Sequence, residues 1–362
     1  MRRVSGRIDD YDYAVPDEAV AQEPPARRQD ARLLRVARHA GITGEGRIPD
    51  LADWLRPGDL LVLNAVPVAP ARLAGTRAAT GGRVSILALS WEGRRATVLL
   101  GTRGRLEAGE ELTVHGDRWR LLGTPREGRV DIEVVQGRDL AVLLEQAGRM
   151  PLPPYIRRDA VADPRDALDR ERYRTTFAAP LGAGDEAETG GPPAVAAPTA
   201  GLHFTPELLA GLQAHGVELA RLRLSVGIGT FRPVHVENLD DHRMHAEDYH
   251  VPPELASAYA AARREGRRVV AVGTTVVRAL ESAVSHDGST LTAGPGRTEL
   301  FLRPGHRFAA VDALLTNFHQ PRSTLLVLVS AFAGLDTIRA AYAEALARGF
   351  RLFSYGDAML LE

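Results

Sequence analysis

The sequence predicts an α/β protein whose larger domain is interrupted by a small all-β domain. Three observations carry that expectation. Apolar runs of buried type, Leu60–Leu63 and the segment 267–273 (RRVVAVG), lie among helix-like segments, the texture of an α/β layer. Between about residues 68 and 148 the texture changes to short alternating runs separated by Gly-containing turns, as in a small β-barrel or sandwich. Residues 150–155 (MPLPPY) then read as a rigid extended linker. The expected organisation is a discontinuous α/β domain, residues 1–67 and 149–362, with an inserted β domain at 68–148.

Taken in order, Asp17 or Pro16 opens a short helix that Pro24 and Pro25 end, and LLRVAR is strand-like. A short helix capped by Asp50 follows, and Pro57-Gly58 turns the chain into the buried strand Leu60–Leu63. In the insert the strand candidates are ARLAGT, GRVSILALSW, RRATVLLG, ELTVHG, RWRLLG and GRVDIEVV, closed by the helix-like DLAVLLEQAG. GAGDEAETGGPPA reads as a mobile surface loop. Thr205 caps a helix with Pro206 at its first position and Leu208, Leu209 and Leu212 on one face. The strand VELARLRLSVGIG comes next; RRVVAVG later runs through Thr274-Thr275 into the helix VVRALESAV. The C-terminal part alternates a helix, LDTIRAAYAEALARG, with the strand-like FRLFSYG.

Composition excludes several chemistries. The 362 residues are 44% hydrophobic and 25% charged, ordinary for a globular chain. There is no cysteine, which removes disulfides, thiolate nucleophiles, Cys-ligated zinc and iron–sulfur clusters. All 45 basic residues are arginine, so a lysine Schiff base and a Walker-type phosphate loop are excluded too. The formal net charge of −1 weakens a nucleic-acid partner, although a near-neutral total can hide a local arginine face. Arg27, Arg28, Arg32, Arg157 and Arg158 are candidate phosphate contacts, with solvated surface arginine as the default for each. No run reaches the length of a membrane span and the N-terminus lacks a signal-type apolar stretch, so a cytoplasmic protein without membrane association is expected.

Five polar stretches could carry chemistry. Thr316–Ser323 (TNFHQPRS) interrupts two apolar runs and reads either as a pocket wall or as a satisfied turn. In Asp241–Tyr249 (DHRMHAEDY), an extended backbone puts His245, Glu247 and Tyr249 on one face. That stretch suits a proton-transfer and substrate-binding edge, a His/Glu metal site, or a solvated strand edge. Thr274-Thr275 opens a helix whose free N–H groups suit an anionic group, or is an ordinary N-cap. Gly227–Thr230, followed by Arg232, is a weak Gly-rich loop, and AAPTAGLHFT brings His203 in among small residues. Four such loops follow strand-like runs, and ligands of α/β sheets bind beyond the carboxyl ends of strands.

Together these motifs resemble the S-adenosylmethionine:tRNA ribosyltransferase-isomerase family (QueA) of the queuosine pathway. The matching segments run nearly end to end: DYDYAVPDEAVAQEP, RPGDLLVLN, PARL, MPLPPYI, AAPTAGLHFT, VGIGTFRPV, HRMHAEDY, VGTTVVRALES, TELFLRPGHRF, VDALLTNFHQPRSTLL and SYGDAMLLE. The resemblance implies a larger α/β domain with a partly closed barrel-like sheet and a smaller β-barrel domain. It implies transfer and isomerisation of the ribosyl moiety of S-adenosylmethionine onto the 7-aminomethyl-7-deazaguanine (preQ1) base at the tRNA wobble position. Epoxyqueuosine forms, and adenine and methionine leave. S-adenosylmethionine is then a co-substrate, with no cofactor, no metal and a monomeric enzyme expected. Under that resemblance His203, His245 and His319 are the proton-transfer candidates, with Glu247 and Tyr249 sharing or orienting that role. Thr274, Thr275 and Arg278 would hold the methionine carboxylate or ribose, and Arg232 would face the ligand. Thr316, Asn317 and Ser323 would line the nucleoside pocket. Pro67 stands where members carry arginine, Ser225 where they carry histidine, and Tyr173–Ala178 departs from YQTVYA. These departures suggest a divergent branch, so two alternatives accompany the main reading: the same donor chemistry on another acceptor, or a non-catalytic RNA-binding relative.

Overall fold

The computed structural model describes residues 6–38, 40–178, 194–227, 234 and 236–362, which form two compact units. The first comprises the described residues of Met1–Pro67, Thr175–Gly191 and Ala197–Glu362, and the second those of Val68–Arg174 and Pro192–Ala196.

The first unit is built on a nine-stranded mixed sheet. Its strands are β1 (Arg32–Ala37), β2 (Gly41–Arg47), β3 (Leu60–Asn64), β10 (Glu218–Leu224), β11 (Glu247–Val251), β12 (Val269–Val272), β13 (Gly294–Thr298), β14 (Ala313–Asn317) and β15 (Ala358–Leu361). They lie in the order β13-β11-β10-β3-β12-β14-β15-β1-β2. The four neighbours β10, β3, β12 and β14 are mutually parallel. Sequence explains the centre: LLVLN, VVAV and ALLTN are buried at every position, as strands covered on both faces must be. One face packs Leu61, Leu63, Val270, Val272 and Leu315 against Phe204 and the helix Pro206–Ala214. That helix begins as its residues dictate, with Thr205 accepting from the Leu208 N–H at 3.2 Å and Pro206 at its first position.

The second unit contains a closed six-stranded barrel: β4 (Arg72–Arg77), β5 (Arg83–Glu92), β6 (Arg95–Thr102), β9 (Arg129–Gln136), β8 (Asp117–Leu121) and β7 (Glu111–Val114), in that order around it. Side chains alternate in and out; in β8, Trp119 and Leu121 are buried while Arg118 and Arg120 are exposed. Gly75 lets β4 approach β7, since a Cβ there would meet the Thr113 carbonyl at 2.8 Å.

Residues 149–174 group with the barrel, past the position where the sequence reading placed the return to the larger domain. Backbone bonds between Arg72 and Arg149 in both directions, at 3.0 and 2.8 Å, and the Arg149–Asp166 ion pair hold them there. The loop expected at GAGDEAETGGPPA lies outside the described residues apart from its final alanine, Ala194. FRLFSYG is a buried turn rather than a strand: Phe353 has φ 72°, and the final strand starts only at Ala358.

Candidate active site at the carboxyl ends of the parallel strands

Because β10, β3, β12 and β14 are parallel neighbours, their carboxyl ends deliver Ser225–Gly227, Asn64–Val66, Gly273–Thr275 and Phe318–Ser323 to one rim. Three strand spacings make that rim about 14 Å long.

Asn64 joins its middle. Its amide donates to the Leu224 carbonyl at 3.0 Å and the Thr275 hydroxyl at 3.2 Å. Its carbonyl oxygen accepts from the N–H groups of Leu224 and Val66 at 3.1 and 3.2 Å. The sequence reading did not single Asn64 out; the signal available was one amide closing an otherwise apolar run. The helix Thr274–Ala283 starts beside it at Gly273, whose φ of 92° suits glycine, and no side chain caps that end. Thr274 and Thr275 are buried, and the first N–H groups of this helix carry its positive end.

One turn on, Arg278 is buried against Glu247, the first residue of β11, and the two form an ion pair. Arg278 Nε also donates to the Leu300 carbonyl at 3.2 Å, while its Nη2 is buried with no hydrogen-bond partner among the described residues. Glu247 accepts from the Gly227 N–H at 3.3 Å, which fastens the start of β11 to the end of β10. Glu247 and Tyr249 share the buried face of β11, with Tyr249 lying over Gly296 of β13. Burial raises the pKa of the Tyr249 phenol. His245 precedes the strand and is exposed, so it does not join that buried face. Among the described residues no three His, Asp or Glu side chains converge as metal ligands.

Beyond β14, Thr316 and His319 meet at 3.0 Å through Oγ1 and Nε2. The backbone of His319 is held on both sides: its N–H donates to the Tyr342 hydroxyl at 2.8 Å, and its carbonyl accepts from the Tyr13 hydroxyl at 2.6 Å. Tyr13 and Tyr342 pack edge to face at 5.1 Å. Burial pushes the His319 imidazole down to about 3, so it is neutral at neutral pH. Ser323 accepts from the Leu326 N–H at 3.2 Å and caps the helix Thr324–Ala333, while donating to the Gln320 carbonyl at 2.7 Å.

His203 ends a 3-10 turn, Thr199–His203, that reaches this rim because the Thr199 hydroxyl donates to Asn317 Oδ1 at 2.9 Å. Both its ring nitrogens face carbonyl oxygens, Ala200 at 3.1 Å and Gly356 at 3.0 Å. Burial depresses its pKa, partly opposed by those two carbonyls and by Asp357. Asn317 donates to the Phe353 carbonyl at 3.1 Å, so His203 and Asn317 rest on the same buried turn. Arg232 lies outside the described residues.

The comparisons with known proteins agree with this architecture. A family model described as queuosine biosynthesis protein matches residues 8–361. The chain belongs to the queuosine biosynthesis protein family. Relatives in that family named S-adenosylmethionine:tRNA ribosyltransferase-isomerase include one from Geobacter sulfurreducens, 46% identical over 98% of this chain and 99% of the relative. Another, from Anaeromyxobacter sp. (strain Fw109-5), is 48% identical with the same coverage. A crystal structure of S-adenosylmethionine tRNA ribosyltransferase from Thermotoga maritima superposes with a TM-score of 0.53 at 32% identity, covering 98% of this chain and 100% of that one. The queuosine-family match therefore spans both units, the sheet with its polar rim and the barrel.

Proposed function

We propose that this queuosine-family protein is an S-adenosylmethionine-dependent tRNA ribosyltransferase-isomerase acting on preQ1 at the wobble position, with epoxyqueuosine, adenine and methionine as products. The observation that carries the reading is the polar rim at the ends of β10, β3, β12 and β14, in a chain matched to the family over nearly its whole length.

The donor is a sulfonium, which acidifies the C5′ hydrogens of its ribose. Removing one starts the expulsion of adenine; the deazaguanine amine then forms the new bond to the ribosyl carbon, and ring closure to the epoxide expels methionine. The free N–H groups opening Thr274–Ala283, with Thr274, Thr275 and the unpartnered Nη2 of Arg278, suit the carboxylate and ribose of the donor. Glu247 holds Arg278 in place. His319 is the favoured proton acceptor: it is neutral, its backbone is fixed by Tyr13 and Tyr342, and Thr316 engages only one of its ring nitrogens. His203, with both nitrogens occupied, suits positioning of the Thr199–His203 turn. His245, being exposed, is the histidine that a macromolecular acceptor reaches without rearrangement.

The alternatives of another acceptor, or of RNA binding without reaction, rest on the departures at Pro67, Ser225 and Tyr173–Ala178. A tRNA-modifying enzyme of this kind is placed in the cytoplasm and read as a monomer; among the described residues no single helix is long and apolar enough to cross a membrane. Incubation with S-adenosylmethionine and preQ1-containing tRNA should release adenine and methionine in equal amounts, and neither without the tRNA. Adenine release with free preQ1 but not with the tRNA would replace the acceptor.

A further inference from the structure

The arginines of the barrel region, residues 68–148, sort into two groups by whether the side chain has a partner among the described residues. Arg77, Arg94, Arg95, Arg118, Arg120 and Arg138 are each in an ion pair with a carboxylate, and Arg72 donates to the Leu152 carbonyl. The other five, Arg83, Arg103, Arg105, Arg126 and Arg129, are exposed, and none makes an ion pair or side-chain hydrogen bond among the described residues.

Strand register puts these five at one end of the barrel. Arg83 opens β5 beside the end of β6, where Val84 pairs with Thr102 and the Thr102 hydroxyl donates to the Arg83 carbonyl at 2.8 Å. Arg103 and Arg105 follow directly on β6. Arg129 opens β9 opposite Leu99 of β6 and is bridged to Arg126 across the preceding turn. In both β5 and β9 the neighbours Val84 and Val130 point into the core, so Arg83 and Arg129 point out. Glu107 and Glu127 also sit at this end, as do Glu110 and Glu111, which pair with Arg77 and with Arg118 and Arg120; none of the four binds any of the five. The five arginines outnumber Glu107 and Glu127, so a local positive excess remains in a chain whose formal net charge is −1.

The sequence had pointed elsewhere for phosphate contacts. In the structure Arg27 pairs with Asp30, Arg32 with Glu45 and Arg158 with Asp169, and Arg28 donates to the Leu202 carbonyl.

We propose that the end of the barrel carrying Arg83, Arg103, Arg105, Arg126 and Arg129 is the surface that grips the sugar-phosphate backbone of the tRNA. This rests on the functional reading above and adds to it a place for the macromolecular substrate. Exposed guanidiniums without internal partners are free to form bidentate bonds to phosphate oxygens, and such contacts position an RNA without reading its sequence.

The test is tRNA binding by the full-length chain, measured by filter retention across a salt series for wild type, R103E/R126E/R129E and the control R94E at the opposite end. The triple variant should bind at least tenfold more weakly, with the log–log salt slope reduced by about two, while R94E behaves as wild type. The milder R103Q/R126Q/R129Q should lose affinity in the same direction. Wild-type affinity and slope in the triple variant would overturn the proposal, as would an equal loss in R94E. Arginine-dependent binding by a wild type that releases no adenine would keep the surface and remove the catalytic reading. A triple variant that instead lost binding only to phosphatidylserine vesicles would make the surface a lipid contact and overturn the RNA assignment.

Discussion

Glu247 and Arg278 are buried as an ion pair where β11 begins and the helix Thr274–Ala283 completes its first turn. Charges this deep are costly to leave single, because desolvation is then uncompensated. Arg278→Ala or Glu247→Ala should each destabilise the protein by about 3–5 kcal/mol. The double variant should cost less than the sum, since it leaves no orphan charge. A double-mutant cycle by urea denaturation checks this; strict additivity would contradict the coupling.

Asn64 makes four hydrogen bonds among β3, β10 and Thr275. Asn64→Ala leaves buried backbone groups of Leu224 and Val66 without that partner, at roughly 1–3 kcal/mol for each group left unsatisfied. The KM for S-adenosylmethionine should rise as the Thr275 hydroxyl loses its anchor. An unchanged KM would show that Thr275 does not meet the donor.

The sequence made the scaffold of this rim legible but not its fastening. The runs LLVL and VVAV announced buried strands of an α/β layer, and alternation announced a small barrel or sandwich, because both patterns are local. Asn64 was not legible as a clamp, since its partner Thr275 lies 211 residues away and only strand order brings them together. FRLFSYG read as a strand from its apolar content, whereas tertiary packing bends it at Phe353 so that its carbonyls can serve Asn317 and His203. His203 stood out as a histidine among small residues, and its carbonyl partners are Ala200 in its own turn and Gly356, 153 residues away.

His319 gives the protein an acid-sensitive element. Its native pKa near 3 lies below the ~6.5 of an unfolded imidazole. From about pH 6.5 downward the unfolded chain therefore binds a proton that the native state refuses. Stability should fall on acidification by up to about 1.4 kcal/mol per pH unit from this residue, down to its native pKa. His203, also depressed by burial, acts in the same direction. His319→Gln should flatten the change in urea midpoint between pH 7 and pH 5; an unchanged slope would show that His319 is not held neutral.

Tyr342 holds the His319 N–H, so Tyr342→Phe leaves a buried donor unpaired at roughly 1–3 kcal/mol and should lower turnover severalfold. Tyr259→Phe, which removes a buried hydroxyl bonded to the Gly288 carbonyl, should lower stability without changing turnover. Equal turnover in the two variants would show that the His319 loop need not be held.

His319→Ala should retain the fold and lose at least ~10²-fold in turnover, the scale for a proton-transfer group. His203→Asn should cost stability more than rate. The reverse ranking, read from steady-state adenine release beside thermal melts, would exchange their roles.

A ribosyltransferase-isomerase leaves the ribosyl carbons of S-adenosylmethionine, not its methyl group, on the tRNA base. Two preparations of the donor, one labelled in the ribose and one in the methyl group, decide it after digestion of the product tRNA to nucleosides. The ribose label should appear in the modified nucleoside and the methyl label should leave entirely with methionine; a methylated base, or no label from the ribose, would contradict the account.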